Sequence, residues 1–150
     1  MSDPPKRVMV IGATGVFGER LARRLARWPD VVLIIAARRR VVLEQLRADI
    51  ESVGAANPIE IALFDREAPT GLADLRPWAV IDCAGPFQRP DYRLAETVLR
   101  CGAHYLDLAD GRAFVAGFAP ALDGLARAGS CRASRRPVPR PPSAIPCSTR

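Results

Sequence analysis

Residues 8–21 read VMVIGATGVFGERL, and this stretch decides the fold class. A short apolar run meets three glycines at three-residue spacing, Gly12, Gly15 and Gly18, and an amphipathic helical pattern follows directly. In such a strand–turn–helix unit the first glycine permits a tight turn, the second lets a pyrophosphate approach the backbone, and the third lets helix and strand pack closely. The pattern predicts a dinucleotide-binding turn; a glycine-rich loop that begins an ordinary helix is the alternative.

The start of this predicted helix supplies the candidate phosphate contacts. Free N–H groups and the positive end of the helix dipole favour an anion at that position. The Thr14 hydroxyl can reach the same phosphates. The candidate residues of the loop are Gly12, Thr14, Gly15, Val16 and Phe17.

Strand and helix patterns alternate along the rest of the chain. Apolar runs predict strands at 31–37, 59–64, 78–84 and 103–108, and helical patterns lie between them, for example at 16–28 and 91–101. This alternation predicts an α/β fold: a doubly wound parallel sheet of the Rossmann type, with about five strands in the order 3-2-1-4-5. We expect the ligand at the carboxyl ends of the strands.

The end of the second strand bears on the choice of cofactor. An acidic residue there binds the adenosine ribose of NAD, whereas an arginine accommodates the 2′-phosphate of NADP. Here residues 37–40 read ARRR, and the first carboxylate is Glu44, inside the next helix. Because a guanidinium is a planar fork suited to phosphate, Arg38 and Arg39 favour NADP over NAD. A solvated arginine cluster is the alternative.

Two further strand ends are candidate cofactor contacts. Asp65 follows the third strand, on the side of the adenine, and Ala84, Gly85 and Pro86 follow the fourth, on the side of the nicotinamide. Both assignments rest on position in the predicted sheet, and Asp65 could equally cap the following turn.

Length and composition limit the class of protein. The 150 residues, 49% of them hydrophobic, fit one globular domain, predicted over residues 1–129. The apolar segment after residues 1–7 is too short and too broken by glycine for a signal peptide or a membrane span, so we expect a cytoplasmic protein. The four cysteines lack CxxC spacing and the single histidine, His104, cannot complete a usual zinc set with them, so free thiols are expected.

The net charge of +6 belongs to one end of the chain. Residues 130–150 hold five arginines and no acid, which leaves 17 basic against 16 acidic residues in 1–129. Because no aromatic residue is interleaved with these arginines, nucleic acid is not an expected partner. The five prolines and four serines of the same segment predict a disordered tail over 130–150.

Residues that could handle a proton in hydride transfer are scarce. Neither Tyr92 nor Tyr105 has a lysine four residues on, so the Tyr-x-x-x-Lys pair of short-chain dehydrogenases is missing. His104 is interpreted as a structural residue at the start of the fifth strand. Asp107 and Asp110 flank the end of that strand and could face the site, but no catalytic residue is assigned.

Four segments together resemble the NADP-binding domain of the saccharopine dehydrogenase-like oxidoreductases. They are VIGATGVFGERLARRLA at 10–26, AARRRVVLEQL at 36–46, VIDCAGPFQ at 80–88 and LAETVLRCGAHYLDLADG at 94–111. The resemblance covers about residues 7–128, and it implies a Rossmann fold with NADP contacts from the glycine loop, Arg38 and the turn at 84–86. One departure is Ala37, where members often have glycine.

A larger departure follows Gly129. Members of the family look longer, with a further strand and a substrate or dimerisation domain, whereas this chain turns into SCRASRRPVPRPPSAIPCSTR. A frameshift or a premature stop is our hypothesis for the change, and a genuine basic extension is the alternative. The fifth strand would then lack a neighbour on one side, and such an open edge favours pairing with a partner or a homo-oligomer.

The resemblance implies hydride transfer between a nicotinamide cofactor and a small-molecule substrate, which the sequence leaves unknown. If the chain lacks its substrate domain, we expect it to bind cofactor and to have no activity alone. A non-catalytic dinucleotide-sensing or regulatory module is the alternative.

Overall fold

One parallel sheet organises the part of the chain that the computed structural model describes, residues 4–87, 89 and 91–135. Its strands, in chain order, are β1 (Lys6–Ile11), β2 (Val31–Ala37), β3 (Ile59–Leu63), β4 (Ala79–Asp82), β5 (His104–Asp107) and β6 (Ala133–Arg135). The helices between them are α1 (Val16–Leu25), α2 (Arg40–Ser52), α3 (Leu72–Leu75), α4 (Arg93–Arg100) and α5 (Arg112–Ala128). Across the sheet these six strands lie in the order β3-β2-β1-β4-β5-β6, and each neighbouring pair is parallel.

The predicted α/β fold and the strand order 3-2-1-4-5 are confirmed. β2 has the bounds that its apolar run predicted, β1 begins two residues before its apolar run, and β3, β4 and β5 are shorter than predicted by one to three residues. Parallel strands covered on both faces need continuous apolar sequence, and that requirement made them visible in the sequence.

The central strand β1 supplies side chains to two separate cores. Met9 and Ile11 join a cluster on one face of the sheet, and Val8 and Val10 join a cluster on the other. The first cluster includes buried residues of α4 and α5, so we call it the α4–α5 layer; the second includes those of α1 and α2 and is the α1–α2 layer. The two-residue period of a strand produces this division.

β6 lies in residues that the sequence assigned to the disordered tail. It pairs with β5, from Tyr105 with Ala133 to Asp107 with Arg135. The approach is fixed by the Arg132 N–H, which donates to His104 Nδ1 at 2.9 Å, and by the Tyr105 N–H, which donates to the Arg132 carbonyl at 2.8 Å. Backbone pairing with an open strand needs no apolar side chains, so composition concealed this strand.

The extra strand β6 also changes the expectation of an open sheet edge at β5. β5 has a neighbour on each side, so the open edge predicted at β5 lies instead at β6 among the described residues. Pairing of copies through a sheet edge stays a prediction. The remainder of the predicted tail, residues 136–150, lies outside the described residues. No described helix combines the length and the apolar character needed to cross a bilayer.

Candidate cofactor-binding site

A cleft of about 400 Å³ lies at the carboxyl ends of β1 to β4. From β1 the chain moves to β2 on one side, and it later returns to β4 on the other side, so the loops after these strands diverge and leave a crevice. Eight of the predicted site residues line it: Gly12, Thr14, Arg38, Arg39, Asp65, Ala84, Gly85 and Pro86. Ile11, Ala37, Phe64, Arg66 and Glu67 complete the lining.

The glycine turn forms the floor of this cleft. Gly12 has φ +73°, and its N–H donates to the Ala36 carbonyl of β2 at 3.0 Å. Gly18 packs so closely on the turn that a Cβ atom there would overlap the Gly12 carbonyl. Gly15 is the N-cap of α1 and has no side chain to occupy the first-turn amides, which leaves these donors open to an anionic ligand.

Three predicted residues lie outside the cleft lining. Gly15 is exposed at the start of α1, and the side chains of Val16 and Phe17 are 69% and 63% exposed. Their assignment as cofactor contacts stays a prediction.

The arginines after β2 form one wall. Arg38 and Arg39 are exposed and line the cleft, and Arg39 is also the N-cap of α2. Arg40 points elsewhere, because its Nη1 atom lies 3.8 Å from Glu44 on the next turn of α2. Within the described part of the chain neither Arg38 nor Arg39 has a carboxylate within 4.0 Å, so their charge faces the cleft without an internal counter-ion.

The loop after β3, which is next to β2 in the sheet, continues this wall, and the turn at 84–86 after β4 forms the opposite wall. Asp65 Oδ1 accepts a hydrogen bond from the Glu67 N–H at 3.0 Å, so this carboxylate caps its own turn, as the alternative interpretation stated. Asp65 also lines the cleft. Capping the turn does not prevent a contact with a ligand, because a carboxylate has two oxygens.

A buried ion pair under the cleft was missed in the sequence analysis. Asp82, at the end of β4, is fully buried; its Oδ2 accepts from Arg66 Nε at 2.9 Å and its Oδ1 accepts from the Ala84 N–H at 3.0 Å. Tyr105 OH lies 3.4 Å from the same Oδ2. The sequence holds a signal for this pair: Asp82 lies inside the apolar run WAVIDCA at 78–84, and a carboxylate that is buried there needs a charged partner.

Burial and the neighbouring charges together shift the pKa values in this network. Burial alone would lower the pKa of Arg66, but the charge of Asp82 and the hydrogen bond to it offset that effect, so the pKa lies above its usual value. Burial and the charges of Asp82 and Asp107 raise the pKa of Tyr105 far above that of a free tyrosine. Tyr105 therefore stays a neutral hydroxyl.

The acids and the histidine at β5 do not line the cleft. Asp107 is buried in the protein, where its Oδ1 accepts from the Ala109 N–H at 3.0 Å, and Asp110 is exposed; neither lines the cleft. His104 packs edge-on against Trp78, with ring centroids 4.8 Å apart. His104 is packed and hydrogen-bonded, as expected of a structural residue, and its lack of a catalytic role stays a prediction. Cys83, Cys101 and Cys131 are free thiols, and Cys147 lies outside the described residues.

Solved structures of similar fold include a short-chain type dehydrogenase/reductase from Mycobacterium ulcerans, with a TM-score of 0.63 and 16% identity over 90% of this chain and 67% of that one. A variant of actinorhodin polyketide ketoreductase with NADPH gives a TM-score of 0.63 and 18% identity, over 83% of this chain and 67% of that one. A metagenomic short-chain oxidoreductase in complex with NADP gives 0.61 and 15%, over 88% and 81%. At these identities the likeness shows the fold alone.

A search of the curated proteins finds no match. The model of one family, described as the saccharopine dehydrogenase NADP binding domain, matches residues 8–133. That match spans the glycine turn, both walls of the cleft and β5, and its description confirms the prediction of NADP as the cofactor. This chain belongs to the saccharopine dehydrogenase NADP-binding domain family.

Proposed function

We propose that the cleft holds NADPH, with the pyrophosphate on the glycine turn and the 2′-phosphate against Arg38 and Arg39. The observation that carries the proposal is the pair of cleft-lining arginines, which have no carboxylate partner within the described residues. A phosphate monoester supplies negative charge and paired oxygen acceptors, which the planar fork of a guanidinium binds through two parallel hydrogen bonds.

The remaining contacts follow from the position of each wall. We infer that Asp65 meets the adenine and that Ala84, Gly85 and Pro86 meet the nicotinamide, because both loops line the cleft at the ends of their strands. The Gly85–Pro86 peptide bond is cis.

The chemistry proposed for the bound cofactor is hydride transfer to or from a small molecule. Reduction moves a hydride from NADPH to an electrophilic carbon of the substrate and needs a proton from a second group. The cleft residues described here bind and orient a dinucleotide, and we assign none of them to proton transfer. We therefore expect the chain alone to bind NADPH without turning over a free carbonyl compound.

Equilibrium binding of NADPH and NADH to the purified chain tests the proposal, followed by nicotinamide fluorescence and by thermal shift at fixed ligand concentration. At a free ligand concentration of 100 times Kd the folded state gains about 2.7 kcal/mol, which a melting curve detects. We expect NADPH to bind more tightly than NADH, and 2′,5′-ADP to compete better than 5′-ADP. Binding of neither nucleotide would overturn the proposal.

A further inference from the structure

Arg66 is in contact with both walls of the cleft. It follows Asp65 in the loop after β3, and its Nε donates to Asp82 Oδ2 at the end of β4 at 2.9 Å. Its Nη1 donates to Glu67 Oε1 at 3.1 Å, within its own loop. Its guanidinium carbon lies 5.1 Å from the centre of the Phe87 ring, beyond the cis peptide bond of the second loop.

These contacts use different faces of one rigid group. The edge of the guanidinium binds two carboxylates, and its flat face lies over an aromatic ring. The side chain of Arg66 is only 15% exposed and that of Asp82 is fully buried, so solvent screens their attraction weakly. Asp82 in turn accepts the Ala84 N–H, so the same carboxylate fixes the start of the second loop.

We propose that Arg66 is a positioning residue for the cofactor cleft: it ties the loop at 65–67 to the loop at 84–87 and so sets the distance between the two walls. The inference rests on the proposed function, because the walls matter only if a dinucleotide lies between them. Arg66 acts on the part of the cleft that NADPH and NADH share. Its loss should weaken both by the same factor, unlike the loss of an arginine that binds the 2′-phosphate.

If Arg66 only stabilised the fold, any pair of residues at positions 66 and 82 that leaves no unpaired buried charge would replace Arg66 and Asp82. The test therefore uses three variants: R66Q, R66K and the double variant R66Q/D82N. R66Q alone leaves Asp82 buried without its cation and should lower the melting temperature. R66K restores a cation, and R66Q/D82N removes both charges while D82N keeps an amide oxygen for the Ala84 N–H, so both should regain most of the stability. Arg47, exposed on α2 and 3.7 Å from Glu51, gives the matched control R47Q.

The first readout needs no cofactor. Hydrogen exchange of the backbone amides at 65–68 and 83–87 reports whether the two loops are held together, and α2 provides an internal reference. We expect R66K and R66Q/D82N to exchange several-fold faster than the original chain in both loops, although their melting temperatures recover. Unchanged exchange in the two loops, or acceleration in one loop only, would overturn the bridging role.

The second readout is the affinity for both nucleotides, measured at a temperature at which all variants are folded. We expect R66K and R66Q/D82N to raise the Kd of NADPH about tenfold and to leave the ratio of the NADPH and NADH affinities unchanged. If the Kd of these variants recovers together with the melting temperature, Arg66 stabilises the fold and does not position the cleft. If the original chain binds neither nucleotide, the proposed function fails, and the exchange measurement still decides whether Arg66 joins the loops.

Discussion

Gly12 and Ala84 approach each other so closely that a Cβ atom on Gly12 would lie 2.8 Å from the Cα atom and 2.9 Å from the Cβ atom of Ala84. The two residues follow β1 and β4, which are neighbours in the sheet. Gly12 is therefore required twice: for its positive φ and for close contact between the floor of the cleft and the loop after β4.

This double requirement predicts a large cost for G12A. Gly102 is a matched control, because its φ is +74° and nothing lies within 4 Å of a Cβ atom placed there. Both variants suffer the strain of a left-handed alanine, about 1–2 kcal/mol. We expect G12A to lower the free energy of unfolding by about 1–3 kcal/mol more than G102A, because the overlap with Ala84 adds to that strain. Urea denaturation measures both, and equal losses would contradict the close contact.

Arg38 should set the preference between the two nucleotides. We expect R38A to weaken NADPH binding by about 1.5–3 kcal/mol, the range for a hydrogen bond to a charged group, and to change NADH binding little. R40A is the control, because Arg40 faces Glu44 on α2 and does not line the cleft. Titration by fluorescence gives the four dissociation constants. Equal losses for NADPH and NADH in R38A would exclude a contact with the 2′-phosphate.

The free thiols should differ sharply in reactivity. Burial, together with the charge of Asp82, raises the pKa of Cys83 to about 11, whereas Cys101 is exposed. A thiol with that pKa is only about 0.1% thiolate at pH 8, and the thiolate is the nucleophile. We expect iodoacetamide to modify Cys101 well before Cys83 at pH 8, as followed by peptide mass spectrometry. Equal rates at the two sites would show that β4 is not packed as described.

The ion pair between Arg7 and Glu60 should make stability depend on pH. Two N–H groups of Arg7 donate to the two carboxylate oxygens of Glu60 at 2.8 and 2.7 Å. This hydrogen bonding lowers the pKa of Glu60 below its usual value, against the opposing effect of burial. A carboxyl with a lower pKa in the folded state stabilises the fold above its unfolded-state pKa of about 4.3, and this contribution is lost as the pH falls through the lower folded-state pKa.

We therefore expect E60Q to cost about 0.5–1 kcal/mol of unfolding free energy at pH 7 and almost nothing at about pH 3, because both residues are partly exposed and solvent screens the pair. E51Q removes a longer contact, 3.7 Å, on the surface of α2 and should cost little at either pH. Urea denaturation across that pH range compares the two variants. A cost for E60Q that does not change with pH would contradict the ionic origin of the stabilisation.

Local signals made most of the sheet and of the cleft predictable. The apolar run of β2 gave its bounds, and glycine spacing located the turn at Gly12, because both signals lie within a few consecutive residues. The cleft residues after β2, β3 and β4 followed from the rule that loops at the carboxyl ends of parallel strands meet. These parts need no knowledge of distant contacts.

The features that escaped prediction depend on distant contacts or on mixed signals. α5 contains Pro120 and two glycines, which obscure its pattern, yet Phe114, Phe118 and Leu122 recur every four residues and pack in the α4–α5 layer. β6 forms by pairing its backbone with the edge of β5, and a local sequence pattern does not show such pairing.

The link between Arg66 and Asp82 joins two loops that are 16 residues apart in sequence. No periodicity in the sequence encodes which cation a buried acid will find. The sequence could show only that Asp82 needed one.

The division of β1 between two cores has a consequence for how such a domain can change. Substitutions in the α4–α5 layer and in the α1–α2 layer alter different clusters, so their costs should add rather than interact. Ala13 of the glycine turn packs in the α1–α2 layer, whereas Phe87 of the loop after β4 packs in the α4–α5 layer. Evolution or design can therefore repack α4 and α5 and leave the side chains of α1 and α2, with Ala13 beside the cleft, in place.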